Sequence, residues 1–213
     1  MKTALHLLAI AAGSTLIAGA ACAQANVAKI GAILYDSHSR TSGIQGIGVP
    51  PGADAKVGDA TTLLLTYERM VNKNLGVELV LGVPPRIKAK ATGTVAFLGD
   101  DVLSARNVAP TLLVNWHFGQ EGDRIRPYLG AGINYTRFTD IRSTLAPSVE
   151  MSDSVGPVVQ AGLDIAIDKQ WGLFASIAKV KVKSDLVAVG ATVLTTTIDF
   201  RPVTYSVGLS YRF

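Results

Sequence analysis

From Val203 to Phe213 the chain alternates without a slip. Val203, Tyr205, Val207, Leu209, Tyr211 and Phe213 interleave with Thr204, Ser206, Gly208, Ser210 and Arg212. One set is apolar or aromatic and the other small or polar, which is the period of a β-strand with two unlike faces. The pattern recurs upstream. Leu63, Leu65 and Tyr67 alternate with Leu64, Thr66, Glu68 and Met70, and Leu75, Val77, Leu79 and Leu81 with Gly76, Glu78, Val80 and Gly82. Val155, Val159, Ala161, Leu163, Ile165 and Ile167 do the same against Gly156, Gln160, Gly162, Asp164 and Asp168. Such strands must cover one apolar face, either against each other or against lipid.

Composition bears on that choice. The chain of 213 residues has a mean hydropathy of +0.33 with 17% charged residues. Part of this is local: Lys2, an apolar run from Ala4 to Ala20 and the Ala21-Cys22-Ala23 exit read as a secretory signal cleaved after residue 23. Gly19 stands three before Cys22 where a lipidated cysteine would have a large aliphatic residue, and the single cysteine leaves with the signal. Disulfides therefore do not hold the mature chain, residues 24–213. Beyond residue 24 no run of 18 apolar residues exists, so no spanning helix is available. A formal net charge of +4, scattered along the chain, gives no nucleic-acid footprint. An apolar, exported chain of alternating strands fits a barrel in lipid, where only every second residue meets hydrocarbon.

Eight strands are predicted, near 26–36, 60–71, 74–83, 106–118, 125–139, 154–168, 171–183 and 196–213. Short turns at 72–74, 119–124 and 168–170 alternate with long loops at 37–59, 84–105, 140–153 and 184–195. An even strand number with short turns on one side and long loops on the other is the plan of an eight-stranded antiparallel transmembrane β-barrel, with periplasmic turns and extracellular loops. The alternative is a soluble eight-stranded barrel with its apolar face inside. Strand 171–183 leaves its phase open, because Leu173, Ala175 and Ile177 suggest one face and Val180 and Val182 the other. Loop 84–105 is a candidate for a short helix, and 43–58 for an unstructured tip. Tyr67, Trp116, Phe118, Trp171, Tyr211 and Phe213 are assigned to one aromatic belt, and Tyr35, Tyr135, Phe138 and Tyr205 to the other.

Four stretches carry a resemblance: GVELVLGVPPRIKAKATG (76–93), VAPTLLVNWHFG (108–119), RPYLGAGINYTRF (126–138) and SVGLSYRF (206–213). In order and spacing they resemble the outer-membrane protein W (OmpW) family over nearly all of the mature chain. The resemblance implies an eight-stranded barrel in the outer membrane of a Gram-negative bacterium. It also implies a route for small hydrophobic solutes through an apolar lumen that opens sideways into lipid, or a receptor role for bacteriocins. It gives Tyr211 and Phe213 the part of the C-terminal signal read by the outer-membrane assembly machinery. Loops 37–59 and 140–153 depart from the family pattern.

The inward face can be read from the alternation. Near the periplasmic end it holds Glu68, Glu78, Arg126, Asp164 and Arg212, with Glu68 and Glu78 equidistant from the turn around Lys73 and hence cross-strand neighbours. Two carboxylates in a narrow lumen need a cation, so Arg126 or Arg212 is expected to pair with them and form a plug. The alternative is that all five are solvated. Above them Leu64, Val80, Leu113, Gly130 and Gly132 should line an apolar space, with the two glycines leaving a hollow. A dead-end site for small hydrophobic molecules follows. An enzyme needs a nucleophile or base with a partner; His38 and His117 have no carboxylate at a suitable spacing, so neither catalysis nor a metal site is expected, and no cofactor. A barrel without transport, whose extracellular loops bind bacteriocins, phage or host surfaces, is the second functional reading.

Overall fold

A computed structural model describes residues 26–37, 39–189 and 193–213. The expected signal segment 1–23, which includes Cys22, and His38 lie outside these. The strands are β1 (Asn26–Asp36), β2 (Ser39–Thr41), β3 (Ala53–Val57), β4 (Ala60–Met70), β5 (Leu75–Gly82), β6 (Arg86–Gly93), β7 (Leu103–Val108), β8 (Thr111–His117), β9 (Ile125–Ser143), β10 (Ser148–Met151), β11 (Ser154–Ala166), β12 (Trp171–Val180), β13 (Val182–Val189), β14 (Val193–Phe200) and β15 (Val203–Arg212). Eight of them close into a ring in the order β1, β4, β5, β8, β9, β11, β12, β15, and β15 pairs back with β1. Every pairing is antiparallel, so no edge is left inside the ring.

The pleat decides which face meets what. Ile30, Leu65, Leu79, Leu112, Ile133, Leu163, Ile177 and Leu209 are all exposed on the outer surface, whereas Lys29, Glu68, Asn115, Gln160 and Ser210 are buried within. A soluble barrel would reverse this arrangement. A continuous apolar outer band around a polar interior is stable only in hydrocarbon, because exposing it to water would cost about 25 cal/mol per Å².

The two ends differ. Short turns close one end, while the other rises well beyond the belt. There β9, 19 residues long, carries β7, β6 and β3 in turn, and β10, β13, β14 and β2 form a second sheet. The expected long loops are therefore mostly strand. Residues 43–58 contain β3, paired to β6 from Ala53↔Gly93 to Val57↔Ala89. Loop 84–105 is a hairpin whose tip holds one 3₁₀ turn, Ala96–Leu98. These strands enclose their own core, with Val57, Ala105, Phe138, Val182, Leu186 and Ile198 packed together. Phe138 thus belongs to this outer core and not to a belt, and Tyr35 turns inward beside Val80. Strand 171–183 keeps one phase throughout: Gly172, Phe174, Val180 and Val182 lie inside, and Lys179, Lys181 and Lys183 outside. The predicted strand 106–118 is broken at Ala109–Pro110 and 196–213 at Arg201–Pro202, where proline has no N–H for the ladder.

Candidate functional site

Seven inward side chains meet near the short-turn end of the lumen. Tight turns set the register, so Glu68 and Glu78 face each other directly across β4 and β5. The cation between them is Lys29 of β1, not an arginine. Its ammonium lies 3.3 Å from Glu68 Oε2, 3.8 Å from Glu78 Oε1 and 3.3 Å from Asp164 Oδ1, and rests 4.8 Å from the Tyr128 ring centroid. Arg126, opposite Asp164 in the β9–β11 register, instead donates from Nη2 to the Lys73 carbonyl at 2.7 Å. Arg212 lies with it in the wall of an open vestibule below the cluster. Side-chain direction decides this: Arg126 starts beside Asp164 but reaches down to the turn at Lys73, whereas the Lys29 ammonium extends to all three carboxylates.

Amide side chains complete the layer. Asn115 Nδ2 donates to Glu68 Oε1 (2.9 Å) and Glu78 Oε2 (2.8 Å), and Gln160 Nε2 to Glu78 Oε2 and Asn115 Oδ1 (2.8 Å each). His117 joins from β8, with Nε2 2.7 Å from Glu68 Oε1 and Nδ1 3.5 Å from Asp164 Oδ2. Closure of the barrel therefore supplies His117 with the acidic partners that linear spacing withholds. Lys29 and His117 were both legible in principle, as polar residues in the inward phase of strands whose other face is Ile30, Ala32 and Leu34 or Leu112, Val114 and Trp116.

Gly130 serves this polar layer rather than an apolar hollow: a Cβ there would meet Asn115 Oδ1 and, at 2.9 Å, Gln160 Cγ. At Gly132, opposite Leu113, a Cβ would strike the Leu112 carbonyl, so the residue lets two strands approach. Above the layer Ile33, Leu64 and Phe174 pack together as an apolar constriction, with Leu113 equally buried. A cavity of about 130 Å³ lies there, lined by Leu64, Val80, Leu113, Val158 and Phe174, with Pro84, Pro85 and Pro110 also in its wall. At the chain end the Phe213 ring stacks on Tyr211 with 6.1 Å between centroids, and Tyr211 meets Trp171 at 4.9 Å. Phe213 exchanges backbone hydrogen bonds with Asn26, which pins the terminus to the wall.

Comparison with known proteins agrees with this geometry. Residues 23–213 match the OmpW family. Outer membrane protein W of Salmonella typhi is 35% identical over 127 residues, which are 57% of this chain and 58% of that protein. The chain thus aligns with little more than half the length of such relatives. The dibenzothiophene metabolism operon protein PahQ of Pseudomonas aeruginosa is 29% identical over 136 residues, 63% of each chain. Among solved structures, the outer membrane protein OprG of Pseudomonas aeruginosa superposes with a TM-score of 0.80 at 25% identity, covering 90% of this chain and 96% of that one.

Proposed function

Because the chain belongs to the OmpW family of Gram-negative outer-membrane barrels, we propose that it gives small hydrophobic solutes a route into the membrane through the upper lumen, above a charged plug. The observation that carries this reading is the stacking of an apolar-lined cavity directly on the Lys29–Glu68–Glu78–Asp164 cluster. Its volume of about 130 Å³ is close to the ~150 Å³ of an apolar cavity known to admit benzene. One aromatic ring fits; a long chain does not without movement of the wall. That a relative takes its name from dibenzothiophene metabolism supports a hydrophobic, aromatic cargo.

The way down is barred. An apolar solute would have to displace the Lys29–Glu68–Glu78–Asp164 cluster, in which Glu68 and Glu78 are held by amide hydrogen bonds, while ions meet the constriction of Ile33, Leu64 and Phe174 from above. The cargo therefore leaves sideways. Pro84, Pro85 and Pro110 in the cavity wall contribute no ladder N–H, so this is where the wall parts at least cost.

The test is binding of radiolabelled toluene, a single-ring probe, to the barrel reconstituted in vesicles, together with its uptake by cells. Val80→Glu places a carboxylate in the cavity and should abolish both while the barrel still folds. Unchanged binding in Val80→Glu, or equal uptake with and without the protein, overturns the transport reading and leaves the receptor reading.

A further inference from the structure

His117 is held in a way that a neutral imidazole does not satisfy. A neutral imidazole has one N–H donor and one lone pair. Here both ring nitrogens face carboxylate oxygens, Nε2 toward Glu68 Oε1 at 2.7 Å and Nδ1 toward Asp164 Oδ2 at 3.5 Å. One lone pair thus points at another, and Nδ1 is buried without a hydrogen-bond partner. Charge shows the same deficit. Glu68, Glu78 and Asp164 share the single ammonium of Lys29, and Arg126, across the strand from Asp164, is turned to the Lys73 carbonyl. Burying such a group requires one further positive charge, which a second ring proton or a metal ion can supply.

We propose that Glu68, His117 and Asp164 bind a divalent transition-metal cation of the Zn²⁺ class at the floor of the vestibule. Each carboxylate divides its work: Glu68 Oε2 and Asp164 Oδ1 contact Lys29 at 3.3 Å, which leaves Oε1 and Oδ2 turned to His117. One ligand atom from each of the three residues lies within 4.8 Å of the others. Around a tetrahedral ion with bonds of about 2.1 Å, donors stand ~3.4 Å apart, so the set closes when one carboxylate swings from its own ring nitrogen toward the one that ligates. One imidazole nitrogen with two carboxylate oxygens suits a borderline ion better than Ca²⁺ or Mg²⁺. Asn115, donating to Glu68 Oε1, supplies the outer hydrogen bond that orients a ligating carboxylate.

The ion has a way in. His117 and Asp164 line the vestibule, about 990 Å³ at the short-turn end, so hydrated metal reaches the site from the periplasm and water fills the remaining coordination position. Ligands from β4, β8 and β11 would be joined across the lumen, so that metal braces the barrel at its lower end.

The experiment uses the mature barrel folded in lipid vesicles, with ZnCl₂ as the probe. Zinc retained per barrel after desalting is measured alongside the midpoint of the heat-induced gel-mobility shift and the imidazole nitrogen resonances of His117. The expected result is one zinc per barrel, a raised midpoint and displaced His117 resonances. His117→Gln and Asp164→Asn should each weaken binding at least tenfold, while His38→Gln leaves it unchanged. The wild-type resonances report on the site even where a variant does not fold. Failure of the wild type to retain zinc, or retention that survives His117→Gln, overturns the proposal. So do His117 resonances indifferent to zinc, the mark of a ring that a second proton alone satisfies. None of these readouts depends on solute passage, so the two proposals fail separately.

Discussion

Four residues up the strands, the lumen changes character. On β1 Lys29 gives way to Ile33, on β4 Glu68 to Leu64, and on β8 His117 to Leu113. All six side chains point inward and are buried, and all six belong to strands whose outer faces are apolar between their ends. Lipid fixes every second residue and leaves the others free, so one barrel can place a network of ions and amides beneath an apolar chamber. In the lower layer, stability comes from pairing charges that could not be buried singly. In the upper layer it comes from dispersion and the exclusion of water.

That contrast can be broken most forcefully at Lys29. Lys29→Met removes the ammonium from three carboxylates, and loss of one partner of a buried ion group costs about 3–5 kcal/mol. Urea unfolding in vesicles should show it; a loss below about 1 kcal/mol would mean that the carboxylates are neutral or hydrated without it. A charge on the lipid side tests the other partition. Leu65→Arg, on the outer face of β4 between Ile30 and Leu81, should cost about 2–4 kcal/mol if it lies near the midplane. The same measurement checks it, and Leu65→Met should be nearly silent.

The smallest effect concerns the turn below both layers. Asp168 Oδ1 accepts the backbone N–H groups of Gln170 and Trp171 at 2.7 Å each, and these bonds, Trp171's foremost, hold its carboxyl below the usual carboxylate range. A depressed folded-state pKa gives stability that is present above the unfolded value of about 3.9 and is lost as pH falls through the folded value. Asp168→Ala should therefore be slightly less stable than wild type at pH 7, with the gap narrowing below about pH 4. A gap that stays constant down to pH 2 would assign the effect to turn geometry rather than charge.

How much of this could be read from the chain follows from the same division. The outer face was legible because lipid imposes a rule on every second residue, and the Glu68–Glu78 pairing because a tight turn fixes its own register. Lys29 and His117 obeyed the inward phase, but which inward groups meet depends on barrel closure, which joins β1 to β15 and β9 to β11 over long separations. Linear spacing carries no trace of that. The upper strands were hidden for another reason. Above the belt there is no lipid to enforce alternation, and β3, β6 and β7 earn their place through a shared core instead. Strand 171–183 left its phase open because Lys179, Lys181 and Lys183 occupy the outward phase as it leaves hydrocarbon, so the polar side there is outside.

The outer core formed by Val57, Ala105, Phe138, Val182, Leu186 and Ile198 also sets where foreign sequence can be displayed on a cell. An epitope spliced into β3 at Val57 would pull a buried residue out of a structure continuous with the barrel wall. At Gly48, exposed and at φ +84° beside the solvent-facing Ile47, the same epitope would extend the tip of a turn outward into open space.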